Sequence, residues 1–200
     1  MKILPLILIY ARLAIGPIII LLSLARADHY IFIAITLFTI GLLTDIFDGI
    51  IARRLNISTQ RLRRLDSTVD QVFFISFAVV TYIQCPDFFK TNATKLIILF
   101  GFEALTYLVS FFKFRKEIAT HSIGAKIWTL LLFATLIQII VQCQSVLLFN
   151  LCFWTGLLTR LEIMAIIFTL KQWTNDVPSV YHAIRFRQGK EIKRSKMFNG

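Results

Sequence analysis

Six apolar runs, at positions 3–25, 30–44, 72–85, 96–112, 127–141 and 146–170, set the first limit on the architecture of this chain. They are continuous and do not alternate with a period of two, which excludes a membrane β-barrel and leaves helices, the one other fold that satisfies its backbone in lipid. Several runs are near 15 residues, short of the ~20 needed to cross ~30 Å of hydrocarbon, so the helices are expected to extend into their polar flanks. Composition agrees. Of 200 residues, 57% are hydrophobic and only 16% charged, so water is not the main solvent. The 19 Phe and the scarcity of charge exclude disorder, and 8 Gly with 4 Pro exclude a collagenous chain. The expected fold is an all-α integral membrane protein with six transmembrane helices. Residues 1–172 are expected to form the membrane domain and 173–200 a basic cytoplasmic tail.

Charge gives the orientation. Lys and Arg total 22 against 11 Asp and Glu. The linker after the second run carries Arg53, Arg54, Arg61, Arg63 and Arg64, and that after the fourth carries Lys113, Arg115, Lys116 and Lys126. The tail adds Arg185, Arg187, Lys190, Lys193, Arg194 and Lys196, whereas the intervening linkers are nearly free of basic residues. Alternate basic linkers place both termini in the cytoplasm, with a bacterial inner (plasma) membrane as the expected location. The tail is expected to be drawn to anionic lipid, and no reader domain for nucleic acid is present. Lys2, an apolar run and Ala25-Arg26-Ala27 imitate a cleaved signal, but Arg12 breaks the apolar core of such a signal. Residues 1–10 are instead expected at the interface, with the span beginning near Arg12. The three cysteines, Cys85, Cys143 and Cys152, have neither an even count nor metal-ligand spacing, and are expected to be membrane-buried thiols.

Four of the eleven acids fall within one short stretch, as Asp45, Asp48, Asp66 and Asp70. The first two are three apart and the last two four apart, so each pair shares a helix face. One pair ends the second run and the other precedes the third, and an antiparallel hairpin would bring all four together. Carboxylates so close repel unless cations neutralise them, and hard divalent ions with oxygen ligands are the natural partners. Such a cluster suits the clamping of a diphosphate during in-line displacement. Gly49 and Ala52 leave room for a ligand near the backbone, and Arg53 is suited to contact a phosphate or brace a carboxylate.

These residues carry a resemblance. Asp45-x2-Asp48-Gly49-x2-Ala52-Arg53 followed by Asp66-x3-Asp70 resembles the signature of the CDP-alcohol phosphatidyltransferase family, D-x2-D-G-x2-A-R-x8-G-x3-D-x3-D, at seven of eight fixed positions. The resemblance extends to the six-span layout. It implies a homodimeric membrane enzyme with its active site at the cytoplasmic interface, open to lipid. By position, it implies that Asp45, Asp48 and Asp66 ligate two divalent cations, Mg²⁺ or Mn²⁺, with Asp70 completing the site and acting as general base. Gly49, Ala52 and Arg53 would line the nucleotide pocket. One position departs from the pattern: the second glycine is Leu62 here, which implies a repositioned loop, a different nucleotide pose or lost activity.

The expected activity is transfer of a phosphatidyl group from CDP-diacylglycerol to a small hydroxylated acceptor, such as glycerol 3-phosphate or an inositol phosphate, with release of CMP. Alternatives are a CDP-amino alcohol phosphotransferase acting on a lipid hydroxyl, and a non-catalytic lipid-binding or transport protein on the same fold. Arg61, Arg63 and Arg64 are candidates to grip a substrate phosphate, or else belong to a positive-inside loop. Lys126 is a candidate for an acceptor phosphate or an interfacial anchor, and Arg12 resembles an arginine frequent early in these enzymes, a candidate for the substrate pocket. Glu103, in the fourth run, and Arg160, in the sixth, are expected to pair between helices.

Overall fold

A computed structural model describes residues 4–54, 59–116, 122–174 and 177–190, apart from the side chains of 52–54, 60, 61 and 63. The described residues are helical, without strands, in the order α1 Leu4–Leu24, α2 Tyr30–Arg54, α3 Gln60–Gln84, α4 Pro86–Thr91, α5 Ala93–Phe114, α6 Ile123–Gln142, α7 Leu147–Thr169 and α8 Val180–Arg187. The short runs at 30–44, 96–112 and 127–141 each lie within a longer helix, and that at 72–85 forms the end of the longer α3, as the membrane thickness demands. Among the described residues, α1, α2, α5, α6 and α7 are long and apolar enough to cross a bilayer. A sixth span rests on α3, whose 25 residues are long enough but whose first half carries Arg64, Asp66 and Asp70. Residues 4–10 already belong to α1, so Arg12 lies inside one continuous helix.

Two compact units divide the chain. The first holds α1, α2 and α3 with Leu136–Cys143, the end of α6. Here α1 packs along both α2 and α3. Its buried residues, Pro5, Ile9, Arg12, Gly16, Ile19 and Ser23, recur alternately at four and three positions and so form one stripe. Gly16 on that stripe has a specific reason to lack a side chain: a Cβ would lie 2.8 Å from the Ser76 hydroxyl of α3. Phe38 of α2 stacks on Phe77 of α3 with ring centroids 3.7 Å apart. Gly41 admits the Phe73 ring to the α2 backbone, where a Cβ would stand 2.1 Å from a ring carbon.

Where α2 begins and α3 ends, the Tyr30 hydroxyl donates to the Gln84 side-chain carbonyl. Beside it, Cys85 is bonded to Cys143, with Cα atoms 5.2 Å apart. This corrects the expectation of three thiols. An odd count does not forbid one pair, and a sequence separation of 58 hid the partnership; Cys152 alone is a free, buried thiol.

The second unit contains Asp87–Thr135 and Gln144–Asn199. The expected charge pair is present: the Arg160 Nε–H of α7 donates to Glu103 of α5. The Arg160 guanidinium also lies 4.3 Å from the centroid of the Trp128 ring, whose own N–H donates to the Cys152 carbonyl at 3.0 Å. Gly156 makes this approach feasible, since a Cβ there would fall 2.6 Å from the indole nitrogen. At the end of α7, the Lys113 ammonium donates to the carbonyls of Ile167 and Phe168, both at 2.9 Å, satisfying groups that a helix C-terminus leaves open. Val177 and Ala183 pack against Ile166 and Leu170 and fix α8 to α7. Many large apolar side chains remain outside any protein core, among them Phe32, Ile97 and Phe112, as expected of surfaces facing lipid.

Candidate active site

The four signature aspartates converge on one arginine. Helix α2 carries Asp45 and Asp48 in its last turns, and α3, started by the Thr59 hydroxyl accepting from the Leu62 N–H, carries Asp66 and Asp70. Arg12 reaches them from α1. Its Nη1 donates to Asp45 at 2.6 Å and to Asp70, and its Nη2 donates to Asp48 and, at 3.1 Å, to Asp66. Each nitrogen thus joins one carboxylate of α2 to one of α3, in the crossed order an antiparallel hairpin requires. The remaining donor of the guanidinium, the Nε–H, is buried and has no hydrogen-bond partner among the described residues.

Exposure within the cluster is uneven. The Arg12 side chain is wholly buried and Asp48 nearly so, whereas the side chains of Asp45, Asp66 and Asp70 are each about 30% exposed. One oxygen from each of Asp45, Asp48 and Asp66 lies within 4.8 Å of the others. A donor set of carboxylates alone, partly open on one side, has the chemistry that hard divalent cations select. Four carboxylates packed around one guanidinium form a site that attracts further cations.

Gly49 follows Asp48 in α2 and is half-buried. Leu62 lies in the first turn of α3 with helical backbone, so the change from the signature glycine takes away space and not a glycine-only conformation. Arg64 is exposed. The side chains of Ala52, Arg53, Arg61 and Arg63 lie outside the described residues. Lys126 is an exposed residue of α6 within the second unit.

The sequence profile of CDP-alcohol phosphatidyltransferases matches residues 2–172. The chain belongs to the CDP-alcohol phosphatidyltransferase family. Membership in the CDP-alcohol phosphatidyltransferase family places it with multi-pass membrane proteins of phospholipid synthesis that use CDP-alcohol substrates and, in general, divalent metal. No curated protein and no solved structure matches the chain.

Sequence reasoning named all four aspartates but not the position of Arg12 among them. A trace of it was present. Gly16 and Ser23 lie four and eleven positions after Arg12, and small residues at those intervals mark the face on which α1 meets its neighbours.

Proposed function

We propose that this protein transfers the phosphatidyl group of CDP-diacylglycerol to a small hydroxylated acceptor, glycerol 3-phosphate or an inositol phosphate, and releases CMP. The observation that carries the reading is the meeting of Asp45, Asp48, Asp66 and Asp70 at a single point, with all four held by one guanidinium. In this reading the four carboxylates hold two divalent cations, Mg²⁺ or Mn²⁺. Bound there, the ions supply neutralisation of the diphosphate and of the charge that develops on the leaving group.

Asp70 is the general base. It accepts the proton of the acceptor hydroxyl as that oxygen forms its bond to the lipid-linked phosphorus; the bond from phosphorus to the CMP oxygen breaks, and CMP departs with the electron pair. Gly49 and Ala52 leave space for the nucleotide, and Arg53 meets a phosphate. Leu62 narrows the place where the signature has glycine, so the nucleotide lies differently from its pose in relatives that keep the glycine. Arg61, Arg63, Arg64 and Lys126 supply positive charge for substrate phosphates, and the working unit is a homodimer.

The site faces the cytoplasm in this reading. Besides the alternation of basic linkers, the Cys85–Cys143 disulfide supports it, because such bonds persist in oxidising compartments. Asp70 and Cys85 are separated along α3 by about 22 Å of helix, enough to put them on opposite sides of most of a bilayer.

The test is CMP release by the detergent-purified protein with CDP-diacylglycerol, Mg²⁺ or Mn²⁺ and a panel of acceptors. Release that requires metal and one acceptor is expected, with a loss of about 10³-fold in Asp70→Asn, the scale of a general base. CMP formed only from CDP-amino alcohols would reassign the donor. Nucleotide-lipid binding without turnover would make the protein a binding module.

A further inference from the structure

The guanidinium of Arg12 occupies the centre of the carboxylate cluster, and this bears on how ions enter it. All four of its Nη–H groups are engaged, each by a different aspartate. The side chain is wholly buried, and its guanidinium contacts the carboxylates that a divalent ion would need. Divalent cations seeking those oxygens therefore meet a cation already in place.

We propose that Arg12 is an internal counter-cation of the metal-free protein, and that divalent ions and the Arg12 guanidinium compete for the same four carboxylates, so that metal binding displaces the side chain. The proposal rests on the metal reading given above. Formal charge supports it. Two divalent ions match four carboxylates in formal charge and leave Arg12 without a role among them, and retaining both would set five positive charges against four carboxylates.

The hydrogen bonding supports displacement as well. In its present seat Arg12 keeps a buried Nε–H without a partner, so the arrangement is held by charge while a strong donor goes unsatisfied. A permanent brace would be expected to use that donor. The backbone is closely packed here: Gly16, one turn along the same stripe, lies so near Ser76 that a Cβ would stand 2.8 Å from its hydroxyl, which leaves α1 little room to move toward α3. Exchange then involves rotation of a long side chain and not the shift of a helix, and the freed guanidinium is at hand for an anionic phosphate at the partly exposed side of the cluster.

A permanent brace and an exchanging cation predict opposite signs. If Arg12 merely holds the aspartates in register, its removal weakens metal binding; if it competes, removal strengthens it. The experiment is titration of Mn²⁺, followed by the loss of the free-ion paramagnetic resonance signal, into the detergent-purified full chain without substrate, as wild type, Arg12→Gln, Arg12→Lys and Asp48→Asn. Arg12→Gln is expected to bind Mn²⁺ at least about tenfold more tightly than wild type. Its unfolding temperature is expected to fall in EDTA and to rise further with Mn²⁺ than that of wild type. Arg12→Lys keeps the charge but cannot bridge four carboxylates, so it gains affinity to a lesser degree and serves if Arg12→Gln does not fold. Equal or weaker Mn²⁺ binding by the folded Arg12 variants overturns the exchange while leaving the metal site standing. Binding that is absent from every protein, or that survives unchanged in Asp48→Asn, overturns the metal reading itself and the exchange with it.

Discussion

Each unit of the molecule buries an arginine inside apolar helices, and the two are served differently. In the second unit Arg160 meets one carboxylate, Glu103, and the face of one indole, Trp128. Its charge is matched one to one, and the ring covers a surface that would otherwise need water. In the first unit Arg12 meets four carboxylates at once and still has a donor without a partner. A matched pair has no further business with cations; a cluster of four carboxylates does. Ionisable residues at membrane depth are costly in both places, and the contrast separates a polar link that joins α5 to α7 from the site proposed to act.

The contrast is sharpest for carboxylate removal. Asp70→Asn is expected to lower CMP release about 10³-fold while its unfolding temperature without metal stays the same or rises, because one of four mutually repelling carboxylates loses its charge. A large fall in that temperature would place Asp70 with the structural acids and remove the difference between the two regions. Glu103→Gln should behave in the reverse manner. It leaves Arg160, only 8% exposed, without its counter-charge, at a cost of about 3 kcal/mol in unfolding free energy. Replacing both partners, as Glu103→Met with Arg160→Met, is expected to recover most of that stability, and Mn²⁺ affinity should not change in either protein. A Glu103→Gln variant as stable as wild type would show the pair to be dispensable. The smallest effect is expected at the ring: Trp128→Phe keeps a face for Arg160 but gives up the N–H bond to Cys152, a loss of about 1 kcal/mol measurable by thermal unfolding in detergent.

Much of this was legible in the chain before its structure. Continuous apolar runs can only be helices in lipid, and three- and four-residue spacings fix helix faces, so the hairpin of aspartates followed from local rules. Arg160 and Glu103 could be paired because Glu103 is the one charge of its run and Glu162, two residues from Arg160, points to a different face of the same helix. Arg12 was harder. It stands 33 residues before the nearest of its aspartates, and α1 is apolar all round, so hydrophobic periodicity does not say which face turns inward. The Cys85–Cys143 bond was missed for a related reason: it joins helices whose alignment is set by packing and not by any local pattern. Local spacing determines what shares a face of one helix; which faces meet depends on features such as Gly16 and Gly41, whose importance shows only when the neighbouring side chains are in view.

The place of Arg12 in the first helix also bears on biogenesis. A ribosome delivers α1 to the membrane before the four aspartates have emerged from it, and an arginine deep in a helix without its partners resists partition into lipid by roughly 3 kcal/mol. Until α2 and α3 emerge, that guanidinium has only water, headgroups or the insertion machinery as company. The first segment therefore cannot settle into its final depth by itself. Insertion of the first three helices becomes a joint event, completed when the last of the carboxylates, Asp70, has left the ribosome.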